Sequence, residues 1–172
     1  MAQNIRILGI DPGYAIVGWG VLDFDGYRFR VVEYGAITTE AGLRFERRLE
    51  VIWDELTAIL ERHSPNVMAV EQLFFTTNQK TAIAVAQARG TILLRAVKSG
   101  VAVAEYTPLQ VKSGVAGYGK ADKKQVQYMV KTLLGLEAIP KPDDTADALA
   151  IAICHGHTTR ANPGLKNILT KR

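Results

Sequence analysis

The sequence predicts an α/β fold, a five-stranded mixed sheet with helices on both faces, and three observations carry that expectation. Five short apolar runs rich in branched residues stop at turn signals or acids, as buried strands do. Elsewhere apolar residues recur at i, i+3, i+4 and i+7, the spacing of amphipathic helices. Three strands come first, helices and strands then alternate, and the chain closes on helices alone, an order that suits a mixed sheet covered on both sides. At 172 residues the chain fits one compact domain that needs no staple to hold a core. The domain is expected over 1–158, with 159–172 as a basic, flexible tail.

Residues 5–10 read as a strand ended by Asp11-Pro12-Gly13, which cannot continue a ladder. Residues 15–24 and 27–39 are the arms of a hairpin turned at Asp25-Gly26. Leu49, Ile52, Trp53, Leu56, Ile59 and Leu60 form a helical stripe, and Pro65 ends that helix near His63 by disfavouring helical geometry at Ser64. A buried strand over 67–70 closes on Glu71. The next helix is lined by Ala82, Val85, Ala86, Ile92, Leu93, Ala96 and Val97, with Gly90 read as a point of close helix packing. Residues 101–106 form the fifth strand. Thr107-Pro108 starts a helix, and Asp122 with Gln125 forms a capping box before a stripe that stops at Gly135. Pro142 opens the last helix, expected to reach about His157.

Apolar residues at 48% and charged residues at 22% exclude disordered and collagen-like classes. The net charge of +4 is unevenly spread: residues 1–86 hold 8 basic against 11 acidic side chains, and residues 87–172 hold 13 against 6. Such a basic half is either a solvated surface or a footprint for a polyanion. The single cysteine, Cys154, excludes an internal disulfide and fits a reducing cytoplasm. No uninterrupted apolar stretch approaches the length of a membrane span, so no membrane partner is expected.

Acids stand where α/β folds place their sites, at strand ends on one rim of the sheet. Asp11 leaves the first strand, Glu71 leaves the fourth, and Asp143, Asp144 and Asp147 lie on the last helix, with Asp144 and Asp147 sharing a face at i and i+3. If these ends meet, Asp11, Glu71, Asp144 and Asp147 converge and must be neutralised. Hard divalent cations do this through oxygen ligands, and a pair of them roughly 3.5 to 4 Å apart clamps the attacking and leaving oxygens of a phosphodiester displacement. Taken singly, the acids have structural explanations: Asp11 could cap its turn, and Asp143 and Asp144 suit a helix N-terminus.

Two motifs are decoys. Residues 114–121 fall one short of a nucleotide-binding loop, because Ala121 stands where a magnesium-binding hydroxyl belongs, and they read instead as a glycine hinge carrying Lys120. Cys154-His155-Gly156-His157 reads as helix-end packing, with histidine favoured by the helix dipole, rather than as a metal site.

I-L-G-I-D-P-G at 7–13, A-V-E-Q-L-F at 69–74, Q-A-R-G at 87–90, Q-V-K at 110–112, K-K-Q-V-Q at 123–127 and D-T-A-D-A-L-A-I-A at 144–152 occur in that order. The set resembles the RuvC family of Holliday junction resolvases and spans nearly the whole chain. The resemblance implies a ribonuclease H-like fold and paired, metal-dependent hydrolysis of two strands of a four-way DNA junction during recombination and repair. It implies Asp11, Glu71, Asp144 and Asp147 as the catalytic metal ligands, with two Mg²⁺ per subunit and Mn²⁺ as a substitute. Lys112 and Lys123 match basic positions near the cleft and are expected to act on the scissile phosphate. Phe74 matches an aromatic position of the family and Phe75 follows it, leaving open which ring stacks on the junction. Lys120 and Lys124 are peripheral phosphate contacts or a solvated helix face. Arg89 is a DNA contact or a structural cation of its helix, and Asp143 is a helix-terminus charge. A homodimer and the RuvA–RuvB branch-migration complex are the implied partners, in the cytoplasm. The alternatives are a non-catalytic junction-binding module and a fragment of a sugar-kinase or actin-like ATPase.

Overall fold

Residues 4–73 and 79–162 are described by a computed structural model. An antiparallel meander opens the chain: β1 (Ile5–Asp11), β2 (Ile16–Phe24) and β3 (Phe29–Thr38). There follow α1 (Phe45–His63), β4 (Val67–Glu71), α2 (Gln79–Lys98) and β5 (Ala102–Tyr106), then α3 (Pro108–Ala116), α4 (Lys123–Leu134) and α5 (Asp143–Ala161). The strands form one mixed sheet in the order β3-β2-β1-β4-β5, with β4 parallel to both β1 and β5. β1 and β4 are the inner parallel pair, and their C-terminal ends lie on the same rim.

Side-chain alternation divides the core into two layers. Ile7 of β1 and Val67 and Ala69 of β4 pack with Val111, Val126 and the α5 residues Leu149, Ile151 and Ile153. Leu8, Ile10, Met68 and Val70 point the other way, onto Ile52, Leu56 and Ile59 of α1 and Ala88, Ile92 and Ala96 of α2. Asp11 and Glu71 continue the first series, so parity alone aims both acids at the α5 side of the sheet. α5 sits close to the strands because two bare positions admit its backbone. A Cβ on Gly9 would lie 2.1 Å from the Ala148 carbonyl oxygen, and one on Gly18 would lie 1.9 Å from that of Asp144.

Helix ends follow local chemistry. Ser64 adopts the left-handed conformation (φ 46°) to close α1, so the disfavour imposed by Pro65 is met outside the helix. Thr107 with Gln110 and Asp122 with Gln125 form capping boxes at α3 and α4, and Gly135 ends α4 with φ 63°.

The structure corrects five details of the sequence reading. α1 starts at Phe45, before the apolar stripe, and α5 continues past His157 to Ala161. Gly90 is not packed: nothing lies within 4 Å of where its Cβ would be, and Ala86 and Val97 beside it on α2 are exposed. Gly114 is not a hinge, since it lies inside α3 and a Cβ there would sit 2.9 Å from Cys154 Sγ. His155 is not a dipole-favoured cation. It is buried with Nδ1 2.7 Å from the Tyr106 hydroxyl, and desolvation lowers its pKa to about 4.

At the far end of the β1–β2 pair, Asp23 is buried between two guanidinium groups. Arg6 Nε donates to it at 2.8 Å while Arg6 Nη1 donates to the His63 carbonyl at 3.0 Å, and Arg30 donates to the other carboxylate oxygen.

Candidate active site

Three of the expected acids meet. Asp11, Glu71 and Asp147 line a cleft of about 190 Å³ together with Lys112, Lys123, Pro108, Val111, Val126 and Ala150. Asp144, one turn earlier on α5, is outside that wall, yet its charge acts on both Asp11 and Asp147. Burial is the first cause that raises the Asp11 pKa, to about 7, and repulsion from Asp147, Glu71 and Asp144 adds to it. Burial likewise raises Glu71 and Asp147, with Lys112 opposing the shift at Glu71 and Lys123 opposing it at Asp147.

Lys123 is the main local counter-charge. Its Nζ stands 3.0 Å from Asp147 Oδ2 and 3.6 Å from Asp143 Oδ2. Asp143 therefore does more than face the helix dipole: it holds Lys123 and Lys141 together and stays below the usual carboxylate range, chiefly through the hydrogen bond from Lys141. Sequence reasoning missed that pairing, and the i, i+4 spacing of Asp143 and Asp147 on one helix face was its available signal.

Lys120 and Lys124 are exposed, Lys120 in the α3–α4 turn and Lys124 in the first turn of α4. Ala121 is fully buried, so the loop that resembles a nucleotide site has its last position in the core. Arg89 is turned inward rather than toward solvent. Its Nε donates to the Glu71 backbone carbonyl at 3.1 Å and Nη2 pairs with Glu105, contacts that a structural cation makes. Phe74 and Phe75 lie outside the described residues. Cys154-His155-Gly156-His157 fastens α5 to its neighbours: Cys154 Sγ donates to the Gln110 carbonyl and His157 Nδ1 to that of Gly114, both on the helix that carries Lys112.

No three His, Cys, Asp or Glu side chains among the described residues are arranged to hold a metal ion as they stand. The donor chemistry nevertheless fits a hard divalent cation: every candidate ligand is a carboxylate, and Asp11 is a half-buried one whose acidic neighbours outnumber its cation.

A mixed sheet with helices on both faces and acids gathered on one rim defines the class, a ribonuclease H-like domain. The profile described as "Crossover junction endodeoxyribonuclease RuvC" matches residues 7–155. Curated relatives of that name include one from Alkaliphilus oremlandii, 56% identical over 88% of this chain and 93% of the relative, and one from Clostridioides difficile, 52% identical over 94% and 96%. Among solved structures, "T. thermophilus RuvC in complex with Holliday junction substrate" superposes with a TM-score of 0.87 at 36% identity, covering 91% of this chain and 96% of that one. A yeast mitochondrial Holliday junction resolvase shares the fold at a TM-score of 0.67 and 14% identity, over 95% of this chain and 84% of that one. The chain belongs to the RuvC family of crossover junction endodeoxyribonucleases.

Proposed function

We propose that this chain resolves four-way DNA junctions by hydrolysing one phosphodiester in each of two strands during recombination and repair. The observation that carries the reading is the cleft in which Asp11, Glu71 and Asp147 face Lys112 and Lys123. The junction-bound T. thermophilus relative supplies the substrate class. Asp11, Glu71, Asp144 and Asp147 would hold two Mg²⁺ per subunit, with Mn²⁺ as a substitute. Bound there, such ions supply the Lewis acidity that activates water and offsets charge on a phosphoryl group.

The chain's own residues orient and neutralise. Asp11 is held in its charged form by a cation rather than by solvent, because its burial and acidic neighbours otherwise favour the proton. Lys123 Nζ turns from Asp147 toward the phosphate oxygens, where its ammonium hydrogens meet charge that grows in the transition state. Lys112, fixed through the α3–α5 hydrogen bonds, binds the phosphate from the opposite wall. Lys120 and Lys124, both exposed, hold flanking phosphates, and Phe74 or Phe75 stacks on an unpaired base.

Two symmetric cuts call for two sites, which a C2 homodimer supplies. The exposed α2 side chains Ile83, Leu94 and Val97 offer a face for a second copy on the sheet side opposite α5. Leu94→Lys should convert a dimer to a monomer in size-exclusion chromatography, and an unchanged elution volume would remove α2 from the interface. RuvA–RuvB is the partner that the family implies, in the cytoplasm. The described helices include none long and apolar enough to cross a membrane.

The decisive test uses a labelled synthetic junction. Asp11→Asn or a chelator should abolish cleavage while a gel shift persists. Cleavage by Asp11→Asn would overturn the ligand assignment, and binding without cleavage by the unaltered protein in Mg²⁺ would favour a non-catalytic junction-binding module.

A further inference from the structure

Glu71 is the last residue of β4, so the strand ladder supports it from one direction only. The Gln72 N–H bonds to the Tyr106 carbonyl on the β5 side, and beyond it the described chain leaves the sheet. The Glu71 side chain lines the cleft on the α5 side. Its backbone carbonyl is gripped by Arg89, which stands on α2 beside Ala88, a residue of the opposite core layer. The same guanidinium is anchored by Glu105, next to Tyr106 on β5. Only 15% of the Arg89 side chain is exposed, so the fork is locked by packing as well as by its partners. Arginine suits this task because its planar donors span two acceptors at once, which a lysine ammonium on a flexible stem does less well.

We infer that Arg89 is a positioning residue for the cleavage site. By clamping the Glu71 carbonyl against Glu105 from the α2 side of the sheet, it fixes where the Glu71 carboxylate stands and hence how well the acid cluster takes a divalent cation. The inference rests on the nuclease reading for its consequence in catalysis, and on geometry for the clamp itself. Supports of this kind, one step behind a ligand, change metal affinity or activity by about 10- to 100-fold when removed.

The test compares the unaltered protein with Arg89→Ala and Arg89→Lys in three measurements: single-turnover junction cleavage across a Mg²⁺ titration, junction binding in chelator, and the rise in Tm on adding Mg²⁺. Arg89→Ala should raise the half-saturating Mg²⁺ concentration by about tenfold or more, and it should shrink the Mg²⁺-induced rise in Tm while leaving junction affinity unchanged. Arg89→Lys should fall between the two. Weaker junction binding with a shallower salt dependence would make Arg89 a phosphate contact and overturn the inference. A lower Tm with an unaltered Mg²⁺ response would reduce Arg89 to a purely structural role and overturn it equally. If Arg89→Ala does not fold, Glu105→Ala, which frees one end of the clamp, should shift the Mg²⁺ response in the same direction, and no shift would refute the clamp. If the unaltered protein does not cleave, the nuclease reading fails, while the Mg²⁺-dependent Tm comparison still decides the role of Arg89.

Discussion

Asp11 and Asp23 occupy opposite ends of one antiparallel strand pair, Asp11 across from Gly18 and Asp23 across from Arg6. Asp23 is buried and Asp11 half-buried, but their company differs more. Asp23 has Arg6 and Arg30, and the hydrogen bond from Arg6 is the leading reason its pKa falls below the ordinary range. Asp11 has three acids and one lysine, and its pKa rises to about 7. The first arrangement is complete in the protein alone. The second is complete only when something positive arrives from outside, which marks a site rather than a strut.

Breaking that contrast at Asp11 should give the largest effect. Asp11→Asn should lower junction cleavage by at least about a thousandfold, the loss expected when several kcal/mol of transition-state stabilisation go. The same variant should be more thermostable than the unaltered protein in chelator. An acid whose folded pKa is raised contributes fully only below its unfolded pKa and loses that contribution as pH rises through the folded value. The stability advantage of Asp11→Asn, followed by Tm, should therefore grow from pH 4 to about 7 and level off above, reaching the order of 4 kcal/mol. An advantage that is flat with pH would show that Asp11 is not the strained group.

Lys123→Ala comes next, with single-turnover cleavage slower by about a hundredfold, since a donor aimed at developing charge is lost. It should also destabilise the metal-free protein by exposing Asp147 to its acidic neighbours. Asp23→Asn should reverse the pattern of Asp11→Asn, leaving cleavage per folded molecule intact while stability falls by about 2 kcal/mol, or roughly 4 to 8 °C in Tm, because two guanidiniums lose their anion. Asp23 contributes above its unfolded pKa and loses that contribution as pH falls through its depressed folded value, opposite in sign to Asp11. The smallest effect belongs to Tyr106→Phe, about 1 kcal/mol by thermal melt, from the hydroxyl partner removed from His155.

Asp11 and Glu71 were legible because each ends a strand, and Asp147 because it shares a helix face with Asp144 near the start of α5; the strand–helix order was legible because the apolar spacing switches cleanly between periods. The partners of Asp143 and Arg89 were not. The partner of Arg89 is a backbone carbonyl on a strand 18 residues away, and no spacing rule encodes such a contact. Asp143 looked like one more first-turn acid because its partner, Lys123, comes from another helix. Gly90 and Gly114 were read in reverse for one reason: a helical glycine signals that a Cβ is absent, and only the neighbouring elements show whether its space is filled. Asp23 carries no sequence signal of its role, because one acid inside a strand does not announce guanidiniums from two other strands.

Gly9 and Gly18 have a consequence for anyone rebuilding this cleft elsewhere. Main chain comes closest in the space above both, joined over Gly9 by the Ala152 methyl, so the height of α5 over the sheet is set chiefly by contact with its backbone. A designer transplanting the acids onto another sheet would have to copy two bare positions on adjacent strands first. With a methyl group at either one, the helix would ride higher and Asp144 and Asp147 would be carried away from Asp11.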